Sequence, residues 1–180
     1  MTALWLVRHA QPLVDAGVCY GATDMPADEP ATDAAATALA ALLPPAARLW
    51  CSPLQRCMQL ADALQRARPD LHLQRDSRLV EMDFGCWEGV AWDAIPKAEI
   101  DAWTAAFWHW RFGGRDSVAA LMGRVGAAWA DANQMSGPVV WVTHAGVIRA
   151  ASLLARGIRT VEHASQWPVQ VPGFGQWLRL

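Results

Sequence analysis

Short, wholly apolar runs alternate along the chain with stretches of helical spacing. Leu4-Trp5-Leu6-Val7 stops abruptly at Arg8-His9, the profile of a strand buried on both faces of a parallel sheet. Val139-Val-Trp-Val142 repeats that profile and stops at Thr143-His144, and Arg48-Leu-Trp-Cys51 reads as another strand. A Gly-, Pro- and Asp-rich stretch over residues 11–30 predicts a loop. Residues 32–43, with Leu39, Leu42 and Leu43 at helical spacing and Pro44-Pro45 as a stop, predict a helix. Ser52-Pro53 reads as a helix start, the hydroxyl capping free amides and the proline filling the first turn. That helix runs to about residue 68, with Leu54, Cys57, Met58, Ala61 and Leu64 on one face and Arg56 in its first turn. A further run, Leu79-Val80-Glu81, leads into Phe84-Gly-Cys-Trp-Glu-Gly89. Residues 92–110 have helical character broken at Pro96, Gly113-Gly114 interrupts the chain, and residues 117–135 predict a helix. Ala145-Gly146 opens a last helix to about residue 156, and residues 169–180 predict one or two short strands. Strands alternating with helices predict a three-layer α/β/α sandwich around a mostly parallel sheet, in one domain with an aromatic-rich insert at about residues 87–115.

Composition narrows the classes. Of 180 residues 53% are hydrophobic and 18% charged, enough apolar material for a sizeable core. The formal net charge is −2 with no Lys/Arg run, which leaves no electrostatic footprint for nucleic acid or an anionic membrane surface. No stretch approaches the roughly 18 consecutive apolar residues that span a bilayer. The apolar amino terminus lacks a basic segment before it and is interrupted at Arg8-His9, so a secretory leader is not expected. Cys19, Cys51, Cys57 and Cys86 form no C-x-x-C pair, which points to reduced thiols and a cytoplasmic protein. Cys51 and Cys57, six apart, read as packing. The unusual figure is 11 Trp against one Tyr.

In open α/β sheets, ligands bind beyond the carboxyl ends of the strands. There the sequence places Arg8-His9, Thr143-His144, Ser52 with Arg56 on the helix that follows, and Glu81. Taken singly, a histidine is ordinarily structural and an arginine a solvated charge; their joint placement at four strand exits is what points to chemistry. Two guanidiniums suit a phosphate, because each planar fork of donors matches two of its oxygens. Neutral imidazole is a competent nucleophile toward phosphorus, and a carboxylic acid can protonate a departing alkoxide. Amides at the helix starting with Ala145-Gly146 would add donors.

Arg8-His9-Ala10, Ser52-Pro-Leu-Gln-Arg56, Leu79-Val-Glu81 with Phe84-Gly-Cys-Trp-Glu-Gly89, and Val142-Thr-His144-Ala-Gly-Val-Ile-Arg149 together resemble the histidine phosphatase superfamily, the phosphoglycerate mutase-like proteins, over nearly the whole chain. The resemblance implies that His9 becomes phosphohistidine, that Arg8, Arg56 and His144 grip the phosphoryl group, and that Glu81 is the general acid that then activates water. Neither metal nor cofactor is implied. His72, His109 and His163 are expected to be structural or exposed. Ala10 stands where the family usually has Gly. Asp15 occupies the place of a phosphate-contacting Asn and is left outside the site, since a carboxylate repels phosphate. Gly114-Arg-Asp-Ser117 stands where relatives read Gly-Gly-Glu-Ser, so that Arg115 could reach a second anionic group.

Within the family, Gln11-Pro12 through Gly17-Val-Cys-Tyr20-Gly-Ala-Thr-Asp24 looks like the α-ribazole phosphatase branch, which implies hydrolysis of α-ribazole 5′-phosphate in cobalamin biosynthesis. A broad-specificity phosphatase and a phosphoglycerate mutase-type enzyme are the alternatives. A catalytically degenerate phosphate-binding protein, or a Trp-rich binding module, is the alternative of another class. The expected partner is a small phosphomonoester. Gln11, Tyr20 and Trp87 are the candidate substrate contacts, whereas Trp103, Phe107, Trp108, Trp110 and Phe112 are expected mostly to pack the insert. With Glu81 protonated and His9 neutral in the reactive state, a bell-shaped pH–rate profile is expected.

Overall fold

Three of the apolar runs become parallel neighbours. In a computed structural model that describes residues 3–180, β1 (Leu4–Arg8) pairs in parallel with β4 (Val139–Thr143), Leu4 opposite Val139 and Arg8 opposite Thr143. The other edge of β4 pairs with β2 (Arg48–Cys51), and β2 pairs with β3 (His72–Arg75), both in parallel. A fifth strand, β5 (Trp177–Arg179), runs antiparallel along the free edge of β1, giving the order β3-β2-β4-β1-β5. Met1 and Thr2, which open the amino-terminal run weighed as a leader, lie outside the described residues.

The two periods of the sequence explain the layers. Side chains alternate across a strand. Val7, Leu49, Cys51, Val140 and Val142 therefore meet α1 (Glu29–Ala40) and α2 (Gln55–Ala67) on one face. Leu4, Leu6, Trp50, Val139 and Trp141 meet α4 (Val118–Gln134) and α5 (Ala145–Ala155) on the other. Helices on both faces of a mostly parallel sheet make the expected three-layer α/β/α fold. A shorter helix, α3 (Lys97–Ala105), lies in the aromatic stretch between β3 and α4. Among the described residues no helix is long and apolar enough to cross a membrane.

Several boundaries differ from expectation for identifiable reasons. Helix α1 starts at Glu29 because Asp28 caps it, its Oδ1 accepting the Ala31 amide at 2.9 Å, and Pro30 fits in the first turn; it ends at Ala40, before Pro44 is reached. Helix α2 starts at Gln55 after Leu54, and the Gln55 amide is taken by Asp24 Oδ1 at 2.7 Å, so Ser52 is not its cap. Leu79-Val80-Glu81 is not a strand. Asp76 accepts the Arg78 amide and opens a 3₁₀ turn over Ser77–Leu79, after which the chain runs on in irregular conformation. Of residues 92–110, a 3₁₀ turn and α3 are helical, Pro96 standing just before α3.

Candidate active site

The strand order puts the carboxyl ends of β2, β4 and β1 side by side, and their polar exits converge on one cavity of about 400 Å³. Its polar wall is Arg8, His9, Tyr20, Arg56, Glu81, His144 and Arg149. Phe84, Trp92, Trp103, Phe107 and Trp167 also line it.

His9 and His144 face each other with ring centroids 5.1 Å apart. His9 Nδ1 lies 2.7 Å from the carbonyl of Ala10, an acceptor only, so Nδ1 carries the proton and the Nε2 lone pair is free. Burial, reinforced by the charges of Arg56 and Arg8 against a smaller opposing pull from the Ala10 carbonyl, pushes His9 down to about 3. His144 is fully buried at the end of β4, and burial, His9 and Arg56 push it well down too. Its Nε2 is 2.8 Å from Ser52 Oγ, which also receives the Leu54 amide at 3.4 Å. The Ser52 hydroxyl thus holds the His144 ring in place from behind the strand end. The hydroxyl read as a helix cap is spent on this histidine instead. Cys57 Sγ, 3.4 Å from Nε2, closes the floor beneath it.

Arg56 is fully buried, its Nη1 donating to Thr23 O at 2.7 Å and its Nη2 to Gly21 O at 2.6 Å. Arg8 lies flat on Phe174, 3.9 Å from its ring centroid, and donates to Pro172 O at 3.1 Å. Arg149 donates through Nε to Pro168 O at 2.8 Å. Among the described residues none of these three arginines forms an ion pair within 4 Å. One buried and two half-buried cations held by neutral carbonyls form a site that gains from an anion, since an uncompensated charge shielded from water is costly.

Glu81 reaches the cavity from irregular chain, and side chains from elsewhere fix that chain. Arg124 of α4 donates to the carbonyls of Arg78, Val80 and Glu81, and Thr143 Oγ1 donates to Leu79 O at 2.8 Å. The Glu81 carboxylate accepts the Met82 amide on Oε1 and the Gly146 amide on Oε2, both at 2.9 Å. The start of α5 thus serves the carboxylate. A Cβ on Gly146 would run into Glu81 Oε1, so a larger residue there must displace the carboxylate.

Of the candidate substrate contacts, Tyr20 lines the cavity, while Gln11 and Trp87 are not among the lining residues. Trp87 packs on the buried Phe112 at 6.2 Å, within an aromatic cluster that Trp103 joins at 4.6 Å. Asp15 is exposed outside the cavity, and Arg115 lines a separate groove with Cys86 and Gly113. Ala10 fits its buried position with φ outside the left-handed region. Sequence reasoning did not single out Arg149 as a site residue, and it missed Phe174 and Trp167; Arg149 stood in plain view at the end of the fourth motif.

The depressed histidines make stability acid-sensitive. Between pH 6.5 and about 3 the unfolded chain protonates His9 and the folded chain does not, so stability falls as pH falls, by roughly 1 kcal/mol per pH unit from His9, and His144 acts in the same direction. Urea unfolding of His9→Asn should show a shallower loss between pH 6.5 and 4 than the wild type; identical slopes would refute a neutral His9.

The pattern of the histidine phosphatase superfamily (branch 1) matches residues 4–171. Mycobacterial glucosyl-3-phosphoglycerate phosphatase is 25% identical, with a TM-score of 0.79 over 99% of this chain and 89% of that one. The same enzyme with inorganic phosphate gives a TM-score of 0.81 at 24% identity, over 99% of this chain and 89% of that one. TTHB049 from Thermus thermophilus is 26% identical, with a TM-score of 0.73 over 99% of this chain and 93% of that one. No curated protein matches the sequence. A family match over nearly the whole length, on a chain whose arginines and histidines converge in one cavity, leaves one conclusion: the chain belongs to the histidine phosphatase superfamily (branch 1) and is a histidine-type phosphatase.

Proposed function

We propose that the protein hydrolyses a phosphomonoester through a phosphohistidine on His9, and that its substrate carries an aromatic base, with α-ribazole 5′-phosphate the compound that fits best. One observation carries the reading: three arginines with no ion pair among the described residues share a cavity with a neutral histidine and five aromatic side chains. Arg8, Arg56 and His144 bind the phosphoryl oxygens. Nε2 of His9 attacks phosphorus, the P–O ester bond breaks, and Glu81 gives its proton to the departing alkoxide. Water then attacks the phosphohistidine as Glu81 takes a proton from it, the P–Nε2 bond breaks to return neutral His9, and inorganic phosphate leaves. Because His9 stays neutral down to about 3, neutral imidazole persists at pH values where carboxylic acids hold their proton, and the acid limb of the rate profile belongs near 3 rather than 6.5.

Phe84, Trp92, Trp103, Phe107 and Trp167 give the cavity an aromatic lining against which a benzimidazole would pack, and an aromatic pair contributes about 0.5–1.5 kcal/mol beyond buried area. A second reading is a phosphorylated glycerate, favoured by Arg149, a cation beyond those assigned to one phosphate, and by the likeness to a glucosyl-3-phosphoglycerate phosphatase. A panel of phosphomonoesters decides between them. The first reading expects α-ribazole 5′-phosphate to exceed ribose 5-phosphate in kcat/KM by about tenfold or more, and Trp103→Ala to remove most of that margin. Equal values would overturn it, and preference for a glycerate that collapses in Arg149→Ala would establish the second.

A further inference from the structure

The guanidinium of Arg56 is aimed by a turn that has no regular structure of its own. Residues 21–23 supply both of its carbonyl partners, Gly21 O and Thr23 O, and the Tyr20 ring lies 5.5 Å from its carbon. A free turn of Gly, Ala and Thr would lose considerable backbone entropy on being fixed, so something must hold it.

Glu88 does so. Its Oε1 accepts the Ala22 amide at 2.8 Å and the Phe84 amide at 2.9 Å. Its Oε2 accepts the Thr23 amide at 2.6 Å and the Thr23 hydroxyl. Four donors therefore converge on one carboxylate, and hydrogen bonds to an ionised acceptor are about twice as strong as neutral ones. Three of them come from residues 22 and 23, between and beside the two carbonyls that Arg56 uses. The fourth, from Phe84, ties the turn to the segment that follows Glu81. Gly21 packs against the Met82 carbonyl and the Phe84 ring so closely that no Cβ fits, which keeps turn and segment in register. Glu88 itself opens on the groove with Thr23, Asp83 and Arg115, and it is not among the residues lining the catalytic cavity.

We propose that Glu88 is a positioning residue for Arg56: its carboxylate fixes the 21–23 turn, whose carbonyls aim the guanidinium, and so sets the affinity for the phosphoryl group. The proposal rests on the reading that Arg56 grips that group.

Inorganic phosphate is the probe, its Kd measured by calorimetry on variants whose circular dichroism matches the wild type. Arg56→Ala should weaken phosphate about 100-fold, Glu88→Gln about tenfold, and Thr23→Val, which removes one of the four donors from an exposed side chain, about threefold. The decisive comparison is Glu88→Gln in the Arg56→Ala background. If Glu88 acts through Arg56, the double variant binds phosphate no more weakly than Arg56→Ala alone. A further tenfold loss there would mean that Glu88 acts independently of Arg56, overturning the proposal. Wild-type affinity in Glu88→Gln and Thr23→Val beside a weakened Arg56→Ala would also overturn it, while leaving the reading of Arg56 intact. Wild-type affinity in Arg56→Ala would remove that reading and the proposal with it. Should Glu88→Gln fail to fold, Thr23→Val decides: a threefold weakening supports the relay and an unchanged Kd refutes it.

Discussion

Replacing His9 by alanine is expected to eliminate the phosphoenzyme and lower kcat by about 10⁴-fold or more. The expectation follows from the protonation of one ring. Nδ1–H is committed to the Ala10 carbonyl, burial keeps the ring neutral, and Nε2 is the unprotonated atom left for the cavity. No other side chain can take over this step. The Nε2 of His144 is engaged by Ser52, and burial pushes the Cys57 thiol far up, which suppresses the thiolate. Acid quenching of the wild type with labelled substrate should yield no stable adduct, while alkaline quenching should trap the phosphohistidine, and His9→Ala should yield neither. Phosphate should still bind within a few-fold, because Arg8, Arg56 and His144 remain. Retained turnover would refute the role; a matching loss of phosphate affinity would mean that the substitution disrupted the cage rather than the chemistry.

The parts of this cage differ in how far the sequence announces them, and the difference is physical. Arg8-His9 and Thr143-His144 were legible because a strand buried on both faces must be a continuous apolar run, so its polar exit is conspicuous. Arg56 followed from its place in the first turn of a helix after such an exit. Glu81 was found through its motif and misassigned in backbone. Its conformation is imposed by Arg124 and Thr143, which lie 43 and 64 residues away from their partners Glu81 and Leu79, beyond any local periodicity. Ser52 carried a correct local signal for a cap that a distant imidazole outcompeted. Phe174 and Pro172 left no signal, because only the antiparallel pairing of β5 with β1 brings the tail behind Arg8.

The tryptophans divide along the same line. Trp50 and Trp141 stack at 6.3 Å under α4 and α5, as apolar strand positions should. Trp92 reaches the cavity from the start of a 3₁₀ turn, Trp167 from the chain just after another, and Trp103 from the last turn of α3. The many tryptophans therefore serve two purposes in one molecule: rings on the strands build the sheet core, and rings on the short helical turns of the insert and on the tail line the site.

Glu81→Gln separates the two halves of the reaction. The amide keeps the size of the carboxylate but has no proton to give an alkoxide, so hydrolysis of an alkyl phosphate should fall by about 10²–10⁴-fold. Para-nitrophenyl phosphate is the discriminating substrate, because nitrophenolate departs without protonation. Phosphorylation of His9 should then continue, while hydrolysis of the phosphohistidine, for which Glu81 is the proposed base, should slow. The expected signature is a burst of nitrophenolate equal to the enzyme concentration, followed by a slow steady state in which phosphoenzyme accumulates. Gly146→Ala offers an independent approach, since its methyl would push Glu81 Oε1 aside and remove the Gly146 amide from Oε2 without altering any ionisable group. It should reproduce the alkyl-phosphate defect with phosphate affinity little changed. Equal losses on alkyl and nitrophenyl substrates in both variants, with no burst, would show that Glu81 supports binding rather than proton transfer.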